Sequence, residues 1–372
     1  MHSKKQLKTV SIPSESNDYY SNDDLYNIKS WGADLSFREL MIMYREGELE
    51  KPEIQRNYVW DKSEASRFID SVLLGLPIPN IFLATTKRES RLIVDGYQRI
   101  MTIYDYVRGV FSKDNKVFKL TNTDKINSRW RGKAFSELAD NEQRRINNTT
   151  IHAIIFEQTH PKDDDTSLYQ VFERINTSGR TLFPQEIRNC VYQGALNTLL
   201  IELNSAVSWR HLLNSREHDS RMRDIEFILR FFALSSDDMR SRSRGRISIK
   251  KYLNDFMGCD SNNTEVSIDI LRNKFTGMTD FVHEKIGRHA FSSTRDGDVF
   301  HFHPTVFDAI SIASSYAINR GIAIPTDLST RHESLLNNDE FKYLLRFETM
   351  VATNINRRIQ LAANILFDIS YE

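Results

Sequence analysis

The sequence predicts an α+β protein: a mixed N-terminal domain followed by an all-helical C-terminal one. Three observations carry that expectation. Short apolar runs at Ile81-Phe82-Leu83-Ala84 and Leu92-Ile93-Val94, bounded by turn residues, have the length of buried strands. Helical-period stripes lie on either side of them. Beyond Asp163-Asp164-Asp165 the texture changes, and from about Leu196 nearly every apolar run has helical period, with no repeat of fixed length.

Residues 1–26 are polar, with Ser-Glu-Ser-Asn-Asp and Ser-Asn-Asp-Asp tracts, and read as a flexible lead-in. Structure is expected to begin near Ser36, where Ser36-Phe37-Arg38-Glu39 has capping-box spacing ahead of Leu40, Met43 and Tyr44. Ser63 can cap a second helix, whose Phe68, Ile69, Val72 and Leu73 share a face and which Gly75 stops. Leu76-Pro77-Ile78-Pro79 cannot be helical, because each proline biases its predecessor toward extended geometry. The two apolar runs then form strands joined by a polar hairpin loop. Asp95-Gly96 ends the second strand, and Ile100, Ile103, Tyr104 and Val107 make a helical stripe closed by Gly109. A helix from Phe135 to Ile146 leads into a third strand from Ile151 to Phe156. Leu168, Val171, Phe172 and Ile175 are helically spaced, Gly179 breaks the chain, and Pro184 suits the first turn of a helix running to Gly194. Further helices are expected from Ile225 to Leu234, Ile268 to Ile286, Phe307 to Ile318 and Phe341 to Phe367. The domains are therefore drawn at residues 27–194 and 195–372.

Composition bounds the function. The chain has 372 residues, enough for two domains with their own cores, and 40% hydrophobic and 27% charged residues are ordinary for a folded protein. Lys plus Arg equals Asp plus Glu at 50 each, so a nucleic-acid role requires a local basic patch. The two cysteines, Cys190 and Cys259, exclude a disulfide framework and a four-cysteine zinc site, and both read as buried thiols. The Lys-rich start has no apolar run of a signal peptide, and no stretch approaches the ~20 apolar residues of a membrane helix, so a cytoplasmic protein is expected.

The chemistry concentrates at Asp95-Gly96-Tyr97-Gln98-Arg99, between a strand end and a helix start. Ligands bind outside strand C-terminal ends in open α/β sheets, and helix N-termini attract anions through free N–H groups. Gly96 permits close backbone approach, Arg99 can pair bidentately with a phosphate, and Asp95 can hold Mg²⁺ or orient water. The same spacing equally fits a capped βα turn with an internal Asp–Arg ion pair. Upstream, Gln55, Arg56, Tyr58 and Trp60 combine an arginine with aromatics, which can stack on a base or simply fill a core. There is no Walker-type Gly-x-x-x-x-Gly-Lys-Ser/Thr and no Gly-x-Gly-x-x-Gly. Any triphosphate chemistry must use something other than a P-loop.

Gln55-Arg56-x-Tyr58-x-Trp60, Leu76-Pro77-Ile78-Pro79, Val94-Asp95-Gly96-Tyr97-Gln98-Arg99 and Phe172-Glu173-Arg174-Ile175-Asn176-Thr177-x-Gly179-x-x-Leu182 occur in that order. In them the chain resembles, from roughly Ser36 to Gly194, the N-terminal domain of GmrSD-type modification-dependent restriction endonucleases, shared with the phosphorothioate-sensing protein SspE. The resemblance implies a ParB/sulfiredoxin-like fold and an Asp-Gly-Gln-Gln-Arg motif tied to nucleoside triphosphate hydrolysis with Mg²⁺. It implies catalytic roles for Asp95, Gln98 and Arg99, with Asp95 on the metal. Gly96, Tyr97, Gln55, Arg56, Tyr58, Arg174, Asn176 and Arg180 would then bind the nucleotide. Two departures matter: Tyr97 stands where the family usually has its first Gln, and the helical half shows no His-Asn-His arrangement of the HNH nuclease found in longer members. A sensor and NTPase part without its cutter is the implied protein, acting on DNA, with a separate nuclease subunit or a homo-oligomer as possible partners. A non-catalytic DNA-binding adaptor with a degenerate site, or a stand-alone nuclease, are the other classes.

Basic patches supply the local charge that a DNA contact needs. Arg240, Arg242, Arg244, Arg246, Lys250 and Lys251 crowd one segment whose Ser-Arg alternation suggests an exposed loop. Arg129, Trp130, Arg131 and Lys133 form a second. Either also suits a solvated surface. His301 and His303, with Asp296 and Asp298 upstream, can be drawn as a metal site, but spacing fixes no third ligand.

Overall fold

A computed structural model describes residues 9–11, 28–51, 60–86, 89–158, 166–175, 183–296 and 299–371. The chain divides into two compact units: residues 23–181 with 189–191, and residues 1–22 with 182–188 and 192–372. The first is mixed α+β and the second mostly helical, as the hydrophobic periods predict.

In the mixed unit the strands are β1 Ile28–Ser36, β2 Leu49–Glu50, β3 Ile81–Thr85, β4 Arg91–Asp95, the small hairpin β5 Val110–Phe111 with β6 Lys116–Val117, and β7 Thr150–Gln158. One five-stranded sheet has the order β1-β7-β3-β4-β2. β3 and β4 form the expected antiparallel hairpin, β7 lies parallel to β3, and β2 lies parallel to β4. Ile81, Leu83, Ile93, Ile151, Ala153 and Ile155 form the sheet's part of the core.

Structure does not begin at Ser36. A nine-residue strand, β1, ends on it and pairs with the whole of β7, from Ile28↔Gln158 to Ser36↔Thr150. Helix α1, Phe37–Glu46, then starts on the expected capping box: Glu39 N–H donates to Ser36 Oγ at 3.2 Å, and Ser36 N–H donates to Glu39 Oε2 at 2.7 Å. Such a cap stabilises a helix by ~1 kcal/mol. Helix α2, Lys62–Leu74, is capped by Asp61 rather than Ser63. Asp61 Oδ1 accepts from Glu64 N–H at 2.8 Å and Glu64 reciprocates at 2.9 Å, a pairing that Ser63 cannot make with a residue three positions on. Helix α3 is Tyr97–Arg108, closed by Gly109.

The helix expected from Phe135 to Ile146 is split. A 3-10 turn, Phe135–Glu137, ends at extended Leu138, and helix α4, Asp140–Asn148, starts afresh. Glu137 accepts from Ala134 N–H at 2.7 Å and Glu142 from Ala139 N–H at 3.1 Å, so each carboxylate opens its own turn. Helix α5 is Thr166–Ile175, and α6 is Pro184–Val191, with Pro184 in its first turn and its end three residues before Gly194.

The helical unit contains α7 Ala195–Leu203, α8 Val207–Leu212, α9 Arg223–Leu234, α10 Asp237–Ser241, α11 Ile249–Gly258, α12 Glu265–Lys285, α13 Pro304–Asn319, α14 Leu328–Asn337, α15 Asp339–Leu344 and α16 Ala352–Phe367. The run from Phe341 to Phe367 is thus two helices with a turn between them. One antiparallel hairpin, β8 Ser292–Asp296 with β9 Val299–Phe302, is added to the helices. Arg230 on α9 forms a buried fork with Asp308 on α13, Nε to Oδ1 at 2.7 Å and Nη2 to Oδ2 at 2.6 Å. Cys190 is buried as expected, but Cys259, just past α11, is exposed. No helix among the described residues is long and apolar enough to cross a membrane.

Candidate functional site

The geometry of the Asp95–Arg99 turn begins in the sheet. Between β3 and β4 the register slips: Phe82 opposes Asp95 while Leu83 opposes Ile93, so Val94 is skipped. Such a bulge bends its strand and re-aims the side chain beside it, here Asp95 at the end of β4. The next residue, Gly96, has φ 103°, in the left-handed region. A Cβ there would stand 2.3 Å from Ile81 Cγ2, so strain and packing both require glycine. α3 follows at once with no side chain capping its N-terminus, leaving its first N–H groups for other partners.

Arg99, in the first turn of α3, points back across this corner. Its Nη2 donates to Asp95 Oδ2 at 2.6 Å and to Asn80 O at 3.0 Å. Asn80 directly follows Leu76-Pro77-Ile78-Pro79, so the extended proline segment and the acidic turn meet at this guanidinium. Arg99 is largely buried and Asp95 about half exposed, which puts the carboxylate on the solvent side of the pair. Arg99 Nε is buried with no hydrogen-bond acceptor among the described residues. Asn80 acts through its carbonyl, which no side-chain pattern in the sequence reveals.

Gln98 and Tyr97 face elsewhere. Gln98 Oε1 accepts from Trp60 N–H at 3.2 Å, fixing the last residue of the Gln55-Arg56-x-Tyr58-x-Trp60 motif. Trp60 itself packs edge-on against Phe68, with ring centroids 5.6 Å apart. Tyr97 is buried in the core, and burial pushes its phenol well above the ordinary tyrosine range. Lys51 Nζ lies 5.6 Å from the centre of its ring.

Of the remaining candidates, Gln55, Arg56, Tyr58, Asn176 and Arg180 lie outside the described residues. Arg174 is exposed in the last turn of α5. Arg188 is buried and donates to Gln185, Glu226 and Asn254.

The basic segment of the helical unit is exposed for most of its length but ordered. Arg240 pairs with Asp237 at 2.5 Å and Arg242 with Asp238 at 2.9 Å, while Lys251 pairs with Asp255. Arg244 and Arg246 are exposed and have no ion pair among the described residues. Lys250 is half-buried. The second patch is mostly structural: Trp130 is buried and donates to Asp70 at 2.6 Å, and Arg131 pairs with Asp124. Asp298 lies outside the described residues, and His303 is buried with Nδ1 3.0 Å from Thr305 Oγ1. Among the described residues no three His, Cys, Asp or Glu side chains are grouped to hold a metal.

Residues 37–193 match the family described as GmrSD restriction endonuclease, N-terminal domain. No curated protein and no solved structure matches the chain.

Proposed function

With residues 37–193 matching the GmrSD restriction endonuclease N-terminal domain family, we propose that this chain is a nucleotide-binding, NTP-hydrolysing and DNA-sensing module of a restriction or anti-phage defence system. The observation that carries the reading is the Asp95–Arg99 corner: an acid, an uncapped helix N-terminus and a guanidinium fixed from behind by Asn80 O. A polyphosphate calls for this set, because helix N–H groups and arginine forks both favour phosphate oxygens. Mg²⁺ arriving with the triphosphate would neutralise phosphate charge, and a single protein carboxylate suffices for such an ion. Asp95, on the solvent side of its pair, is that carboxylate. Once Asp95 is engaged elsewhere, Arg99 keeps its aim through Asn80 O and turns its remaining N–H groups to phosphate. In this reading Gln55, Arg56, Tyr58, Arg174, Asn176 and Arg180 supply further contacts to the nucleotide. DNA and a separate nuclease subunit are the partners, in the cytoplasm.

A second reading, a non-catalytic adaptor with a degenerate site, has its own observation. Tyr97 is committed to the core and Gln98 Oε1 to Trp60 N–H, so neither presents a ready amide to an attacking water. Phosphate release with each ribonucleoside triphosphate and Mg²⁺, with and without duplex DNA, separates the two. Loss of turnover by ~100-fold or more in both Asp95→Ala and Arg99→Ala supports the NTPase. Absence of turnover with every nucleotide favours the adaptor.

A further inference from the structure

The end of α15 and the turn that leads to α16 carry one exposed aromatic ring each. Tyr343 and Phe347 are each 55% exposed, and their rings stack with centroids 5.0 Å apart and planes at 28°. Burying a Phe side chain is ordinarily favourable by ~2 kcal/mol, so a stacked pair left in water asks for a reason. The turn itself is held firmly. Arg358, fully buried on α16, donates from Nη1 to Leu344 O and Thr349 O and from Nη2 to Thr349 O, all at 3.2 Å. A buried guanidinium given over to backbone carbonyls fixes the segment that presents the two rings.

Beside this turn runs the basic segment. Ile247 N–H donates to Met350 O at 2.8 Å and Ala352 N–H to Gly245 O at 2.9 Å, and Arg246 bridges Val351 in antiparallel pairing. This sets Arg244 and Arg246 alongside the chain a few residues past Phe347. Arg346 is exposed between the two rings in sequence and, like Arg244 and Arg246, has no ion pair among the described residues. Glu348 is the one acid in the turn, and Glu340 nearby is held by Arg357 at 2.7 Å.

We infer that this face binds an unpaired DNA strand, with bases stacking on Tyr343 and Phe347 and phosphates meeting Arg244, Arg246 and Arg346. Exposed flat rings interleaved with unpaired guanidinia are what a single strand requires, since every base offers a face and every linkage a charge. A duplex keeps its base faces inside and would leave the rings unused. An acidic peptide would satisfy the arginines but offer the rings no flat partner. The inference deepens the DNA-sensing part of the proposed function and does not depend on nucleotide turnover.

Fluorescence anisotropy of the full chain with labelled oligodeoxythymidine, about 20 nucleotides long, tests it. Duplex DNA and oligouridine of equal length are measured in parallel. Single-stranded DNA should bind tightest, and Tyr343→Ala/Phe347→Ala should weaken it about tenfold or more. Arg244→Ala/Arg246→Ala should reduce the slope of log affinity against log salt by about 1.4. Unchanged melting temperatures establish that both variants fold, as exposed positions allow. Equal binding by the aromatic variant overturns the proposal. Duplex or RNA binding tighter than the single strand overturns it while leaving a nucleic-acid role intact. Binding to no nucleic acid overturns both it and the DNA-sensing reading.

Discussion

Arg99 and Asp95, four residues apart across the junction of β4 and α3, are joined at 2.6 Å, and the same arginine nitrogen reaches the carbonyl of Asn80 at 3.0 Å. The arginine therefore keeps an anchor when its carboxylate partner is removed. Asp95→Asn should cost at most ~1 kcal/mol of stability, since its carboxylate is about half exposed, and yet, under the proposed NTPase function, abolish turnover. Arg99→Lys keeps the charge but loses the fork, and turnover should fall with it. Urea denaturation beside phosphate release checks both; large destabilisation by Asp95→Asn would show the pair to be structural.

Gly96→Ala tests the corner beneath that pair. The new methyl would meet Ile81 Cγ2 at 2.3 Å on a backbone with φ 103°. Strain and overpacking together predict a loss of about 2–4 kcal/mol. A neutral result in chemical denaturation would show that β3 yields at Ile81.

Tyr97→Gln would install the Gln of the Asp-Gly-Gln-Gln-Arg motif that the turn resembles but would place an amide in the core. It should destabilise the mixed unit by about 1–3 kcal/mol rather than raise turnover. A stable Tyr97→Gln variant with faster phosphate release would mean that position 97 can turn toward the proposed ligand.

Stability should follow a dome in alkaline solution. Burial lowers Lys274 to about 8, so the folded chain carries fewer protons there than the unfolded chain, and stability rises as pH climbs from about 8 toward the ordinary lysine value. Burial raises Tyr97 and Tyr106, whose unfolded forms ionise first, so stability falls above about pH 10. Thermal melts across this range should show the rise, and Lys274→Met should remove it. A rise that survives in Lys274→Met assigns it to another group.

The buried fork of Arg230 and Asp308 offers the plainest stability test in the helical unit. Asp308→Ala removes both acceptors of that fork from a guanidinium at a site closed to solvent, and a loss of about 3–5 kcal/mol is expected in urea unfolding. A loss under ~1 kcal/mol would mean water reaches the arginine.

What the sequence made legible is what local chemistry determines. The β3–β4 hairpin, the Ser36 box and the helix closed by Gly109 each depend on residues within a few positions of one another. β1 was not legible: Trp31 and its neighbours are largely exposed, so no alternation marks the strand, and its partner lies more than a hundred residues away in β7. Asp61 and Ser63 are both good caps in sequence, and only the reciprocal Glu64 decides between them. At the site, the sequence singled out the Asp95–Arg99 turn but not the Asn80 carbonyl behind it or the register slip at Phe82 and Leu83. Both are backbone features. The stacking of Tyr343 on Phe347 was hidden for a related reason, because spacing of four residues looks the same whether a helix face is covered or bare.

The sheet order β1-β7-β3-β4-β2 has a consequence for how the chain is made. β7 separates β1 from β3, so the first strand of the sheet to emerge, β1, has no partner until the chain has grown past residue 158. During synthesis, at about 5–20 residues per second, that interval lasts several seconds or more. Through it a strand with bare backbone groups and an uncovered Trp31 is open to pairing with other nascent chains. The polar and charged side chains of Lys29, Ser30 and Asp34 stand along that strand, and they are the local means of keeping it solvated until β7 arrives.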